Sequence, residues 1–325
     1  SKNFMKQKKK ALIFGVSGQD GAYLANLLIK KNYSVIGITR NLNEKNLFRL
    51  KKLNILNKVI LKKGSAVNAD FVHKTIKKNQ NIKEIYYLAG DASVTNSFLH
   101  PNISFKSNVL GILNILMSIK NINKDIKIFN AASAQFFGNY KNNFYNENSL
   151  ILPQSPYGIS KASAFWFTKF FREVHGLYAC SGILFNHESP LRSKEFVTKK
   201  IIDISKKIKK TNKGHLYLGN IDIWRDWGWA PEYVNAMWLM MQQKTPIDLV
   251  IGSGKKNSIR EFVYEAFKIL NIKKNRLRSN TKKFKRKIDI KSYKANTSLA
   301  KKTIKWSTKI SFKQIVYKMI KNELF

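Results

Sequence analysis

Six short apolar runs recur through the first 185 residues, at Ala11–Val16, Ser34–Thr39, Val59–Leu61, Glu84–Ala89, Lys127–Ala131 and Cys180–Phe185, with helix-length segments between them. Their apolar content is continuous rather than alternating, as expected of parallel strands covered on both faces. Strand and helix taking turns in this way specify an α/β fold with a Rossmann-like doubly wound parallel sheet. At 325 residues and 44% hydrophobic content, the chain can bury one large α/β domain and a smaller appended one. The alternation fades beyond about Asn186, which predicts a smaller C-terminal substrate-binding lobe. We expect residues 1–185, with a returning segment at about 221–246, to form the first domain, and about 186–220 with 247–325 to form the lobe. Neither an internal repeat nor a low-complexity linker separates them, and the lysine-rich Lys273–Lys287 reads as an exposed or ligand-facing loop.

The first strand feeds Gly15-Val16-Ser17-Gly18-Gln19-Asp20-Gly21, and a helix-like Ala22–Lys30 follows. Glycines in this order allow a tight turn and close approach of a dinucleotide pyrophosphate to the free backbone N–H groups of a helix N-terminus. The second strand ends in Thr39-Arg40-Asn41, with no Asp or Glu to hold a ribose 2′-hydroxyl. Arg40 is suited to a 2′-phosphate, or is an arginine on a solvated turn.

Tyr157-Gly158-Ile159-Ser160-Lys161 adds the chemistry. Four residues apart on a helix, Tyr157 and Lys161 share a face, so the ammonium can sit beneath the phenol and lower its pKa from about 10 toward neutrality. That combination is a base for a substrate hydroxyl.

Lys and Arg number 60 against 19 Asp and Glu, a formal charge of +41. Such an excess raises nucleic acid or an anionic membrane as a partner. The lysines, however, are scattered among Asn and Ile, and aromatic residues are not interleaved with them in a nucleic-acid module. Compositional bias with attraction for polyanionic nucleotides is the reading we adopt, without a specific nucleic-acid surface. Cys180 is the only cysteine, which excludes an intrachain disulfide and a cysteine metal site, and the five histidines lack ligand spacing. No metal is expected. Behind the basic Ser1–Lys10, the apolar Ala11–Val16 is too short for a signal core or a membrane span, so a cytoplasmic protein is expected.

These residues resemble the extended short-chain dehydrogenase/reductase superfamily and, within it, the GDP-mannose 4,6-dehydratase family. The resemblance is carried in order by the Gly15–Gly21 loop, Ser155–Lys161, Leu184-Phe185-Asn186-His187-Glu188-Ser189-Pro190, Phe196-Val197-Thr198, Leu218-Gly219-Asn220 and Arg225-Asp226-Trp227-Gly228, ending near Lys305-Trp306. It implies a nucleotide-sugar substrate whose C4 hydroxyl is oxidised by a tightly held nicotinamide cofactor. Tyr157 would be the base, Lys161 would tune it and bind the nicotinamide ribose, and Ser133 would hydrogen-bond the reacting oxygen. Carried over residue by residue, the cofactor site would comprise Gly15, Ser17, Gly18, Gln19, Asp20, Gly21, Arg40, Asn41, Ser65, Ala66, Leu88, Ala89, Gly90, Tyr157, Lys161, His187 and Arg192. The sugar-nucleotide site would comprise Ser97, Asn186, Val197, Lys200, Gly219, Arg225, Trp229 and Arg286, with guanidinium groups meeting diphosphate oxygens. The resemblance also implies a homotetramer, or a homodimer, with Arg40–Arg49 as the loop that meets a neighbouring subunit's cofactor site.

The chain departs from the family where Thr-Ser-Glu is replaced by Ser133-Ala134-Gln135. The family's glutamate removes the C5 proton and assists loss of the C6 hydroxyl. Gln135 has no titratable proton near neutral pH and can do neither. Further departures are Trp229 for His, Gln154 for Arg, Ala132 and Ala134 for Ser, Lys287 for Pro and Asp289 for Glu. Asn41 for Arg and Ser65 for Asp tilt the cofactor from NADP toward NAD. The expected activity is oxidation of C4 on a GDP-mannose-type sugar nucleotide, GDP-D-glycero-α-D-manno-heptose foremost, to a 4-keto product without dehydration. Such a step belongs to capsule or surface polysaccharide sugar biosynthesis, and a 2-oxo acid is the candidate acceptor that reoxidises the cofactor. One alternative is a true 4,6-dehydratase in which Glu188 or Glu147 takes the missing role. The other is a non-catalytic sugar-nucleotide or polyanion-binding protein.

Overall fold

The computed structural model describes residues 8–79, 81–139, 144–279, 290 and 292–325. Seven strands form the main sheet: β1 (Lys10–Phe14), β2 (Ser34–Thr39), β3 (Val59–Lys63), β4 (Ile82–Tyr87), β5 (Lys127–Ser133), β6 (Ala179–Leu184) and β7 (Leu249–Ile251). Their order is β7-β6-β5-β4-β1-β2-β3, and β1 pairs in parallel with both β2 and β4. This is the doubly wound order in which the chain reverses direction beside β1, and the crevice at that point is where such sheets bind ligands. The expected Rossmann-like α/β class holds. The six predicted runs all became strands, shifted by at most two residues at their starts. The three-residue β7 was not among the predicted runs, because it lies beyond Asn186, where the strand–helix alternation fades.

Two compact units divide the chain. The first comprises residues 1–133, 156–182 and 234–248, and the second residues 134–155, 183–233 and 249–325. In the first, Leu12, Phe14, Ile36, Ile85 and Ile128 from the strands meet Ile112, Ile115, Leu116 and Ile119 of the helix Gly111–Ile122, all at most 2% exposed. The intervening strand residues Ala11, Ile13, Val35, Tyr86 and Phe129, which point to the opposite face, are buried as well, so continuous apolar sequence was the sign of two covered faces. The lysine-bearing β3 lies at the sheet edge with Ile60 half exposed, a position where charge blunts an unpaired strand. Asn43 and Asn68 cap the helices Glu44–Lys52 and Ala69–Lys77 through their side-chain oxygens.

The second unit packs the helices Val197–Thr211, Ile259–Leu270 and Phe312–Lys321 around Ile201, Trp227, Phe262 and Ile315. Capping boxes, Ser258 with Glu261 and Ser311 with Gln314, start two of these helices. Residues 134–155, expected in the first domain, group here for a visible reason. Phe144–Tyr145 pairs with Lys294–Ala295, Phe137 stacks on Tyr145 at 4.8 Å, and the Val250 amide donates to Glu147. Residues 221–233 likewise group here, because Trp227–Trp229 pairs in parallel with Asn186–Glu188. The helix Ala230–Met241 then leads back into the first unit.

Candidate active site

In the first unit, the turn after β1 is shaped by contacts that only glycine permits. Gly15 has φ +88°, and a Cβ there would lie 2.8 Å from the Ala89 nitrogen and 2.9 Å from the Leu88 carbonyl carbon. A Cβ on Gly21 would overlap the Gly15 carbonyl oxygen. The backbone is thereby drawn close to Leu88, Ala89 and Gly90. Gly18 is the N-cap of the helix Gln19–Lys30, and no side chain caps that end. With a helix N-terminus at its edge, the cradle fits a dinucleotide pyrophosphate.

The rim of this turn is organised by Asn46 and Arg49, which lie outside the glycine motif. Asn46 Nδ2 donates to Thr39 Oγ1 at 2.7 Å, to the Asn41 carbonyl at 2.6 Å and to Ser17 Oγ at 3.2 Å, and Arg49 Nη1 donates to the Ser17 carbonyl at 3.0 Å. Arg40 and Asn41 lie exposed at the end of β2. Gln19 Nε2 donates to Asp20 Oδ1, Ser65 Oγ accepts from the Val67 amide, and Ala66 is buried beside them in sequence.

The dyad sits on the helix Pro156–His175, on the face that also buries Ser160, Ala164 and Thr168. Tyr157 and Lys161 are 7% and 8% exposed, with the Lys161 ammonium 5.8 Å from the centre of the Tyr157 ring. Lys161 Nζ donates to the Ala131 carbonyl at 2.9 Å, on the strand whose last residue is Ser133. Burial pulls the Lys161 pKa down to about 8, with Asp20 pulling the other way. Ser160 Oγ donates to the Tyr157 carbonyl at 2.8 Å and accepts from Asn108 Nδ2 at 3.1 Å. Ser97, expected at the sugar nucleotide, is instead fully buried. Its hydroxyl accepts from the Tyr157 amide at 3.1 Å and donates to the Val94 carbonyl at 2.7 Å, so it supports the start of the helix that carries the base.

The second unit holds Gln135, on a single 3-10 turn at Ala134–Phe137. Its Nε2 donates to the Tyr293 hydroxyl at 2.8 Å, and that hydroxyl donates to Asn186 Oδ1 at 2.6 Å. The Arg225 guanidinium lies 4.9 Å from the Tyr293 ring, with Nη1 donating to the carbonyls of Ile290 at 2.6 Å and Trp224 at 2.9 Å. Beside it, the fully buried Asp226 accepts from the Ser253 amide and hydroxyl, the Gly254 amide and the Ala295 amide, at 2.7 to 3.0 Å. Burial raises its pKa, and those donors oppose the rise.

His187 stacks on Tyr233 at 4.4 Å and donates from Nδ1 to the Phe185 carbonyl at 2.7 Å, which leaves Nε2 as its other ring nitrogen. Val197 and Lys200 lie on the first turn of the helix Val197–Thr211, and Gly219 accepts from Ser279 Oγ through its carbonyl. Trp229 is not a pocket wall. It is 1% exposed within the core built on Trp227 and Phe262, because the alternating strand Trp227–Trp229 buries both indoles. Arg286, with Lys287 and Asp289, lies outside the described residues.

The two carboxylates considered as substitutes for the missing glutamate have other partners. Glu188, 1% exposed, accepts from Thr198 Oγ1 at 2.6 Å and pairs with Arg192 Nε at 3.3 Å; Arg192 also lies over the Phe196 ring. Glu147 accepts from the Val250 amide at 2.7 Å. Among the described residues, no three His, Cys, Asp or Glu side chains group as metal ligands, and no helix is long and apolar enough to cross a membrane.

The family model for GDP-mannose 4,6 dehydratase matches residues 12–319. GDP-mannose 4,6 dehydratase of Dictyostelium discoideum is 36% identical, with 98% of this chain and 96% of that protein covered. GDP-mannose 4,6 dehydratase 1 of Arabidopsis thaliana is 35% identical, covering 99% of this chain and 91% of the relative. Among solved structures, UDP-glucose 4-epimerase from Thermotoga maritima superposes with a TM-score of 0.84 at 20% identity, covering 96% of this chain and 98% of that one. The dTDP-glucose 4,6-dehydratase from Bacillus anthracis, solved with NAD, gives 0.83 at 19%, with 96% of each chain covered. At those identities the structural likeness carries the fold alone. The sequence match runs through nearly the whole chain, and with the glycine cradle and the Tyr157–Lys161 pair it places this protein in the GDP-mannose 4,6-dehydratase family of extended short-chain dehydrogenases/reductases.

Proposed function

We propose that this protein oxidises the C4 hydroxyl of a GDP-mannose-type sugar nucleotide, with GDP-D-glycero-α-D-manno-heptose as the foremost substrate, and stops at the 4-keto product. The observation that carries this reading is Gln135. It stands where elimination needs a carboxylate, and its Nε2 donates a hydrogen bond to the Tyr293 hydroxyl. Glu147 and Glu188 are held by Val250, and by Thr198 and Arg192, respectively.

When bound in the glycine cradle, a nicotinamide dinucleotide supplies the two-electron acceptor. The chain's own residues do the rest. Tyr157 removes the proton of the C4 hydroxyl, Ser133 donates a hydrogen bond to the reacting oxygen, and Lys161 holds positive charge beside the phenol. Arg225, Lys200, Val197, Gly219 and Arg286 are proposed to hold the GDP moiety, Asn186 the sugar, and His187 and Arg192 the cofactor side. With no carboxylate at position 135, the C5 proton stays in place and C6 keeps its hydroxyl. A sugar extended beyond C6, as in a heptose, is then no obstacle.

The electrons removed from C4 have no acceptor on C6, so the reduced cofactor is reoxidised by a second compound, for which we propose a 2-oxo acid. NAD is favoured over NADP by Asn41 and Ser65, with Arg40 as the one cation at the end of β2. We place the reaction in the cytoplasm, in surface-polysaccharide sugar biosynthesis, and the protein as a homotetramer or homodimer.

The experiment is mass spectrometry of GDP-mannose and of the GDP-manno-heptose after incubation with the protein, with and without a 2-oxo acid, while cofactor absorbance is followed. Loss of two hydrogens with cofactor reduction is expected. Loss of water without net reduction would instead establish the second reading, a 4,6-dehydratase, which the names of the relatives favour.

A further inference from the structure

Tyr293 ties together Gln135, Asn186 and Arg225 of the second unit, and no sequence motif announces it. The residue is 2% exposed, with its ring fixed against Phe185 at 5.3 Å and beneath the Arg225 guanidinium at 4.9 Å. A ring held on those sides has little freedom to swing, so its hydroxyl stays between Gln135 and Asn186. That hydroxyl has one proton. Gln135 Nε2 donates to its oxygen at 2.8 Å, and the proton goes to Asn186 Oδ1 at 2.6 Å. An amide nitrogen only donates and an amide oxygen only accepts, so the chain of bonds has a direction. Gln135 gives, Tyr293 passes on, and Asn186 receives through Oδ1, which leaves Nδ2 as the donor that Asn186 can offer.

We infer that Tyr293 is a positioning residue that transmits the hydrogen-bonding character of position 135 to Asn186, and thereby selects an acceptor oxygen on the sugar of the bound sugar nucleotide. The inference rests on the sugar-nucleotide reading of the site. A glutamate at position 135 would accept, so the Tyr293 proton would turn toward it. Asn186 would then have to rotate its amide by half a turn, donate Nδ2 to the phenol oxygen and offer Oδ1 to the ligand. Position 135 accordingly governs two properties at once: whether a base is present, and which partner Asn186 presents. The second depends on Tyr293, the first does not.

The test is a double-mutant cycle read by calorimetric binding of GDP-mannose and of GDP to the full chain, with Tyr157→Phe carried throughout so that no turnover occurs. Gln135→Glu is expected to weaken GDP-mannose binding about tenfold when Tyr293 is present, and less than about twofold in the Tyr293→Phe background, which keeps the ring and removes only the hydroxyl. GDP has no sugar, and its affinity is expected to stay within about twofold across all four proteins. Asn186→Asp still accepts from Tyr293 but has no donor left, so it should reproduce the loss seen with Gln135→Glu. Equal effects of Gln135→Glu in both backgrounds, or undiminished GDP-mannose binding by Asn186→Asp, overturn the role given to Tyr293. A protein that binds GDP-mannose no better than GDP before either change removes the sugar-nucleotide reading itself, and the inference with it.

Discussion

Lys161 Nζ donates to the Ala131 carbonyl at 2.9 Å, so the cation of the helix Pro156–His175 is anchored to the strand that ends in Ser133. Burial there brings its pKa down to about 8. Two consequences of opposite sign follow. Above about pH 8 the ammonium beside Tyr157 is lost, so kcat/KM for sugar-nucleotide oxidation is expected to fall along an alkaline limb with a midpoint near that value. Stability changes the other way. An unfolded lysine keeps its proton up to about pH 10.4, so between those two values the unfolded chain holds more protons and folding is favoured as pH rises. Kinetics and urea midpoints measured over the same pH series should therefore diverge. Lys161→Met is expected to lower the rate by about 10²- to 10⁴-fold and to remove the alkaline limb. An unchanged limb in that variant would refute the assignment.

Gln135→Glu restores the acceptor that elimination needs. With Tyr157, Lys161 and Ser133 unchanged, this variant is expected to release a product lighter than the substrate by one water, with no net reduced cofactor per turnover. A product still lacking only two hydrogens would mean that the missing carboxylate is not what halts the reaction.

At Gly15 the expectation concerns binding rather than chemistry. Gly15→Ala places a methyl group 2.8 Å from the Ala89 nitrogen on a backbone with φ +88°, a combination that costs on the order of 1 to 3 kcal/mol even before any ligand is present. Cofactor affinity, measured by fluorescence titration, should fall at least about tenfold while the Tyr157–Lys161 pair is untouched. Undiminished affinity would show that the cradle is not where the dinucleotide binds.

How much of this was legible beforehand follows from how far each feature reaches along the chain. The sheet, the glycine turn and the dyad are local: a strand is a run of apolar residues, and Tyr157 and Lys161 are one helical turn apart. Tyr293 is 158 residues from Gln135, and only the folded chain brings them together. Asn46 lies seven residues from Thr39, beyond the glycine motif, so nothing in the loop pointed to it. Trp229 is the reverse case: the resemblance put it at the sugar nucleotide, whereas alternation in Trp227-Gly228-Trp229 put the indole into the core. The residue 134–155 excursion was invisible because its two-residue strand pairs only with Lys294–Ala295.

A stability prediction falls on Arg172 and Asp248, which meet through two hydrogen bonds at 2.9 and 2.6 Å, while Asp248 also accepts from the Ser181 amide at 2.7 Å. Both side chains are mostly buried, 16% and 13% exposed. Asp248→Ala leaves a guanidinium and an amide without their carboxylate, and is expected to cost about 3 to 5 kcal/mol. A urea midpoint within experimental error of the parent would show that water replaces the pair.

The first unit carries a run of exposed apolar side chains. On the helix Pro156–His175, Ile159, Trp166, Phe170 and Val174 follow one another at spacings of seven, four and four, and each is about half exposed or more. Phe98, Leu99, Ile103 and Phe105, on the short helices Val94–Leu99 and Pro101–Phe105, are exposed as well. Contiguous apolar surface beyond a few hundred Å² marks an interaction face. We expect a second copy of this chain to cover it, since the stripe presents the same residues to a two-fold partner. Sedimentation equilibrium should give a dimer or tetramer, and Trp166→Glu with Phe170→Glu should yield a folded monomer, because charge on both aromatic positions cannot be buried without a partner. A parent protein that sediments as a monomer at micromolar concentration would refute the assignment, and a double variant that still associates would place the interface elsewhere.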